Sequence, residues 1–183
     1  MNSTTPKFLI EEQLAGAPFI RQAGVETLPM GYVVCAPGGR VGEVGEANLL
    51  ESGQNDRAAA YAMTAQSYGF ELLYLEAGSG AHTPVDSELI RTARESCNLT
   101  LIVGGGIRDG ATARRAVEAG ADWIITGNIT EEYDDASTHN AGSSINLLVS
   151  ASEDPASGSD EGDADGWGLS PMIFFIRMGI KSP

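Results

Sequence analysis

Glu76 is the residue on which chemistry most readily centres. It follows a short apolar run, Phe70 to Leu75, and is itself followed by Ala77-Gly78-Ser79-Gly80. A carboxylate at a strand end can accept, or remove, the proton of a substrate hydroxyl. Glycines beside it let a ligand approach with no Cβ in the way. Tyr74, two positions back, shares a face with Glu76 if the strand stays regular, and offers its phenol as a donor. Ser79 is a hydroxyl or phosphate ligand. Two further strand ends have the same character: Gly104-Gly105-Gly106-Ile107-Arg108 and Thr126-Gly127-Asn128. Each alone is an ordinary turn. At intervals of one strand-helix unit, together, they predict a mouth whose backbone N–H groups hold a phosphate.

Other reactive residue types do not assemble. His82 and His139 have no triad or metal set near them and read as structural or exposed. Cys35 and Cys97 fit no metal spacing and are too few for a disulfide framework, so buried free thiols are expected. Asp134 and Asp135 read as a solvated pair rather than a chelate. No metal ligands are assigned from the residues themselves.

The elements that must position these strand ends alternate regularly. Arg57 to Tyr68 reads as an Ala-rich helix ended by Gly69, and Phe70 to Leu75 as a strand. Thr83 and Pro84 are expected as N-cap and first residue of a helix that runs to about Cys97, with Asp86 near its positive end. Leu99 to Val103 is the next strand. Asp109 caps a helix ending near Ala119 and Gly120, and Asp122 to Thr126 is a third strand. A further strand is expected at Gly31 to Cys35, preceded by a short helix around Glu11 to Ala23 and followed by a long Gly-rich excursion over residues 36–54. Near-continuous apolar strands between helices signify parallel strands buried on both faces. The order suits part of a (β/α)8 barrel or a doubly wound sheet.

Composition divides the chain. Residues 1–133 form the α/β unit, and residues 134–183 read as an acidic, low-complexity, disordered tail with a short apolar end. With 11 Lys+Arg against 25 Asp+Glu, the 183-residue chain carries a formal charge of −14. That balance argues against nucleic acid and anionic membrane surfaces as partners. Only Lys7 and Lys181 are lysines, a pattern that keeps a protein hydrated in concentrated salt and points to a halophile. There is no signal peptide and no apolar run long enough for a transmembrane helix, so a cytoplasmic protein is expected.

The residues YLEAGSGA (74–81), VGGGIR (103–108), TGN (126–128) and LPMGYVV with PGGRVGEVGEA (28–47) resemble those of the geranylgeranylglyceryl phosphate synthase family, of haloarchaeal type. The resemblance spans residues 20–133. It implies a TIM barrel that transfers the prenyl group of geranylgeranyl diphosphate to the C3 hydroxyl of sn-glycerol 1-phosphate, with Mg2+ assisting departure of diphosphate and the ether product passing to the membrane. Carried onto this chain, Tyr74, Leu75, Glu76, Ala77, Gly78, Ser79 and Gly80 hold the glycerol phosphate, with Glu76 and Tyr74 catalytic. Gly105, Gly106, Gly127 and Asn128 cradle its phosphate.

The family's Mg2+ ligands follow the first two barrel strands, and no residues of 1–30 replace them. The expectation is an incomplete barrel, about the C-terminal five strands, with little or no prenyltransferase activity by itself. Two alternatives stay open. One is another phosphate-binding barrel enzyme, an isomerase or a synthase. The other is a non-catalytic remnant or barrel-completing subunit, whose open sheet edges invite association and hence a homo-oligomer.

Overall fold

Four short apolar runs, each followed by a loop and most by a helix, become four parallel strands. The computed structural model describes residues 1–24, 26–126 and 174–177. A π-helical turn at Lys7–Glu11 leads into α1 (Glu12–Ala23). There follow β1 (Met30–Val34), α2 (Gly39–Val44), α3 (Asn55–Ser67), β2 (Leu72–Glu76), α4 (Ser87–Ser96), β3 (Thr100–Gly104), α5 (Gly110–Glu118), β4 (Trp123–Thr126) and β5 (Phe174–Arg177). The sheet order is β1-β2-β3-β4-β5. The first four strands are mutually parallel and β5 is antiparallel to β4, so four parallel strands stand among the described residues. The remainder of the expected tail lies outside the described residues.

Register sorts the side chains onto two faces. Val33, Leu73, Leu75, Leu101, Val103 and Ile124 join Ala58, Ala62 and Ala65 of α3, Leu89, Ile90 and Ala93 of α4, and Ala113, Ala116 and Val117 of α5 in one core. The small alanines let α3 lie close to the sheet, where β-branched and leucine side chains already fill the space. The opposite face carries Tyr32, Tyr74, Glu76 and Ile102, paired across β1 to β3 as Tyr32 with Tyr74 and Tyr74 with Ile102. In α1 no residue is buried, and Leu14 and Phe19 are exposed.

Several boundaries move, each for a local reason. The helix expected from Thr83 and Pro84 starts later: Asp86 is the cap, and its carboxylate accepts the Glu88 N–H at 2.9 Å. Thr83 and Pro84 instead pack against Gly106, whose missing Cβ would stand 2.6 Å from the Thr83 carbonyl oxygen. β2 and β3 each run one residue further than expected, so Glu76 and Gly104 are strand residues. The excursion over 36–54 contains α2 and then returns alongside the end of β1 through a parallel bridge between Cys35 and Leu50. Asp109 does cap α5, accepting the Thr112 N–H at 2.7 Å. Cys35 and Cys97 are both buried and free.

Candidate functional site

Strand pairing carries Glu76 to the level of Val34 on one side and Gly104 on the other. Backbone bonds extend this into the loops: Cys35 N–H donates to Glu76 O at 2.8 Å, Ala77 N–H to Gly104 O at 3.0 Å, and Gly38 N–H to Ala77 O at 2.9 Å. The three loops at these strand ends are therefore stitched into one rim.

Glu76 is 7% exposed, and each of its carboxylate oxygens accepts from one local donor. Tyr74 donates its hydroxyl to Oε2, which confirms that the two residues share a face. Gly78 donates its N–H to Oε1 at 2.6 Å. A carboxylate has about four acceptor positions, so these two donors leave room for a substrate hydroxyl. Tyr32 packs edge-on against Tyr74 with ring centroids 4.9 Å apart. Burial, reinforced by the Glu76 charge, pushes the Tyr74 phenol far above its ordinary value and keeps it a donor. Tyr32 is raised by the same two causes in the same order. Burial and then the Glu76 charge push the Cys35 thiol up to about 12.

The glycines have a packing role that an anion argument alone does not reveal. Gly105 has φ +82°, and a Cβ there would lie 2.6 Å from both Glu76 Oε1 and Gly78 N. Gly78 has φ +101°, and its Cβ would lie 2.6 Å from Gly38 O. These residues are glycine because the loops after β1, β2 and β3 press directly on one another around Glu76. Leu75 and Ala77 are buried on the helical side, whereas Ser79 stands exposed on the rim. Arg108 reaches across from the β3 loop and donates through Nη2 to Gly80 O at 3.0 Å. Thr126, ending β4, is buried, and Gly127 and Asn128 lie outside the described residues. So do His139, Asp134 and Asp135, while His82 is exposed.

Two features escaped the reading of the sequence. Asn2 is 3% exposed and clamps the outer edge of β1: Nδ2 donates to Val34 O at 2.8 Å, and Oδ1 accepts the Val34 N–H at 3.0 Å. The same Nδ2 reaches Asn48 O at 3.0 Å. The amide thus takes the place of a neighbouring strand's peptide group next to the site. Nothing in a lone asparagine near the N-terminus signals this. Second, a groove of about 990 Å3 runs along the β1 edge, lined by Met1, Phe8, Tyr32, Val34, Tyr61 and Phe70 among others. Glu76 is not among its lining residues, so it lies beside the carboxylate rather than over it.

The fold is a parallel βα sheet with a buried carboxylate and glycine-rich loops at the C-terminal ends of its strands. The PcrB family model matches residues 1–143, and the chain belongs to that family. It is 48% identical over 136 residues to geranylgeranylglyceryl phosphate synthase of Methanothrix thermoacetophila, covering 74% of this chain and 53% of that protein. It is 47% identical to the synthase of Methanobrevibacter smithii, with 74% and 54% covered. Among solved structures, the wild-type synthase of Thermoplasma volcanium superposes with a TM-score of 0.75 at 41% identity, covering 82% of this chain and 58% of that one. The (S)-3-O-geranylgeranylglyceryl phosphate synthase of Thermoplasma acidophilum, in complex with its substrate sn-glycerol-1-phosphate, gives 0.76 at 35% identity, with 82% and 59% covered. The chain spans about half the length of the curated relatives it matches.

Proposed function

We propose that this chain carries the polyol-phosphate site of a geranylgeranylglyceryl phosphate synthase. In this reading sn-glycerol 1-phosphate lies across the ends of β2 to β4. The segment from Tyr74 to Gly80 holds its glycerol, and Gly105, Gly106, Gly127 and Asn128 hold its phosphate. The observation that carries the reading is Glu76 itself, a buried carboxylate positioned by Tyr74 and Gly78 at the strand mouth. It has acceptor capacity left for the C3 hydroxyl. In the full reaction a bond forms between that oxygen and C1 of the prenyl donor, geranylgeranyl diphosphate. The C1–oxygen bond to diphosphate breaks, diphosphate leaves with the electron pair, and the hydroxyl proton passes to Glu76.

Mg2+ would neutralise the departing diphosphate in such a reaction. Among the described residues no three His, Cys, Asp or Glu side chains group to hold a metal ion. The chain by itself is read as binding glycerol phosphate with little turnover.

Calorimetric titration of the full chain tests this. The expected result is saturable binding of sn-glycerol 1-phosphate, weaker binding of its enantiomer, and near-background prenyl transfer with Mg2+ and geranylgeranyl diphosphate present. Absence of binding sinks the site, and brisk transfer sinks the claim of little turnover.

A further inference from the structure

Arg108 bridges two loops of the candidate site, donating to the Gly80 carbonyl oxygen at 3.0 Å. Arg94 pairs with Asp122 at 2.8 Å, Arg91 pairs with Glu88, and Lys7 lies 3.8 Å from Glu12. Arg57 and Arg115 turn to neutral oxygens within or beside their own helices, Arg57 to Gln54 and Arg115 to Thr112. Arg108 alone of these stands on a loop of the candidate site. Ile107, 5% exposed, pins the backbone just before it, and Asp109 just after it directs its carboxylate to the Thr112 N–H. That carboxylate is held below its ordinary range chiefly by this bond, and among the described residues no ion pair joins any carboxylate to Arg108. The guanidinium is fixed instead by the neutral Gly80 carbonyl at 3.0 Å, at the junction of the β2 and β3 loops. The chain has 25 acidic and 11 basic residues, yet among the described residues no carboxylate forms an ion pair with Arg108.

We propose that Arg108 is the cationic ligand of the phosphate in this site, an inference that rests on the polyol-phosphate reading above. A guanidinium has five N–H donors in a planar fork that matches two phosphate oxygens, and the Gly80 carbonyl accounts for one of them. The bond to Gly80 pre-orders the side chain, so little rotamer freedom is lost when the anion arrives. The backbone N–H groups then supply shape, and Arg108 supplies charge.

The full chain and three variants, Arg108→Ala, Arg108→Gln and Arg91→Gln, are titrated with sn-glycerol 1-phosphate at one ionic strength. Their folding is checked by circular dichroism. Glutamine keeps an N–H donor within reach of the loop but loses the charge, and Arg91→Gln makes the same change in net charge on an exposed helix. Both Arg108 variants are expected to weaken binding by about ten- to a hundredfold, and Arg91→Gln to change it by less than about twofold. Phosphorus NMR of the bound ligand should show its second ionisation at lower pH in the unaltered chain than in Arg108→Gln. Unchanged affinity in Arg108→Gln makes the residue a loop latch and overturns the proposal, as does an equal loss in Arg91→Gln. If the unaltered chain binds no glycerol phosphate, the proposed function falls and this inference with it. Binding by the unaltered chain that survives Arg108→Ala sinks this inference alone.

Discussion

At the scale of single residues, the site is a buried carboxylate whose neighbours are tuned by it. Glu76 suppresses the ionisation of Tyr74, Tyr32 and Cys35, in each case second to burial. For Cys35 the consequence has a definite sign. Its folded value of about 12 lies above the ordinary 9.0, so the unfolded chain loses the thiol proton first. The stabilisation is complete below pH 9 and declines as pH rises towards 12. Between pH 9.0 and 10.0, before tyrosines ordinarily ionise, unfolding free energy should fall by up to about 1.4 kcal/mol per pH unit. Urea unfolding of the unaltered chain and Cys35→Ala across that interval checks it: the variant's slope should be flatter, and equal slopes would discard the assignment. That Glu76 and Tyr74 share a face was legible in the sequence, because a period of two puts both on one side of a strand. Asn2 was not. Its partners, Val34 and Asn48, lie 32 and 46 residues away, and only the fold brings them together.

At the scale of elements, the two ends of the strands divide the work. The glycine loops and Glu76 occupy the C-terminal ends. The opposite ends of β3 and β4 are closed by Asp122, whose Oδ2 takes Arg94 Nη1 at 2.8 Å and the Leu101 N–H at 2.7 Å. Arg94 Nη2 also donates to Cys97 O and Leu99 O, tying the end of α4 to the start of β3. Asp122→Ala strips both donors of their acceptor and should cost about 1–3 kcal/mol in chemical unfolding. Glycerol-phosphate affinity should stay within about twofold, because the bottom of a barrel sheet serves stability rather than binding. A matching loss of affinity would show that the two ends are coupled. Helix and strand order was readable from apolar period and capping residues, and Asp109 caps α5 as its position indicates. Thr83 and Pro84 misled because a good local start signal lost to a tertiary demand. The loop holding them must lie against Gly106, and Asp86 three residues on is an equally good cap.

At the scale of the whole molecule, apolar runs and turn residues sufficed to indicate a parallel βα sheet, since burial on both faces leaves a strong pattern. The antiparallel pairing of β5 did not follow from them, because a four-residue strand far along the chain carries no register information of its own. Charge acts on this scale too. A formal −14 over 183 residues is net self-repulsion, and its range shrinks from a Debye length of about 10 Å at 0.1 M salt to about 3 Å at 1 M. Salt also weakens attraction, but the attraction to be lost is small. Of the ion pairs among the described residues, Lys7–Glu12 and Arg91–Glu88 are exposed, and such pairs contribute about 0–1 kcal/mol each. Arg94–Asp122 is less exposed on the arginine side and is reinforced by backbone bonds that salt screens little. Relief of repulsion therefore outweighs loss of pairing, and the midpoint of thermal unfolding should rise steadily as KCl increases from about 0.1 M to beyond 1 M. KCl is the informative salt, because sulfate would raise the midpoint of almost any protein by strengthening apolar burial. A flat or falling midpoint in KCl would mean that the excess carboxylates are spaced too widely to repel, and that the acidity of the chain does not govern its stability.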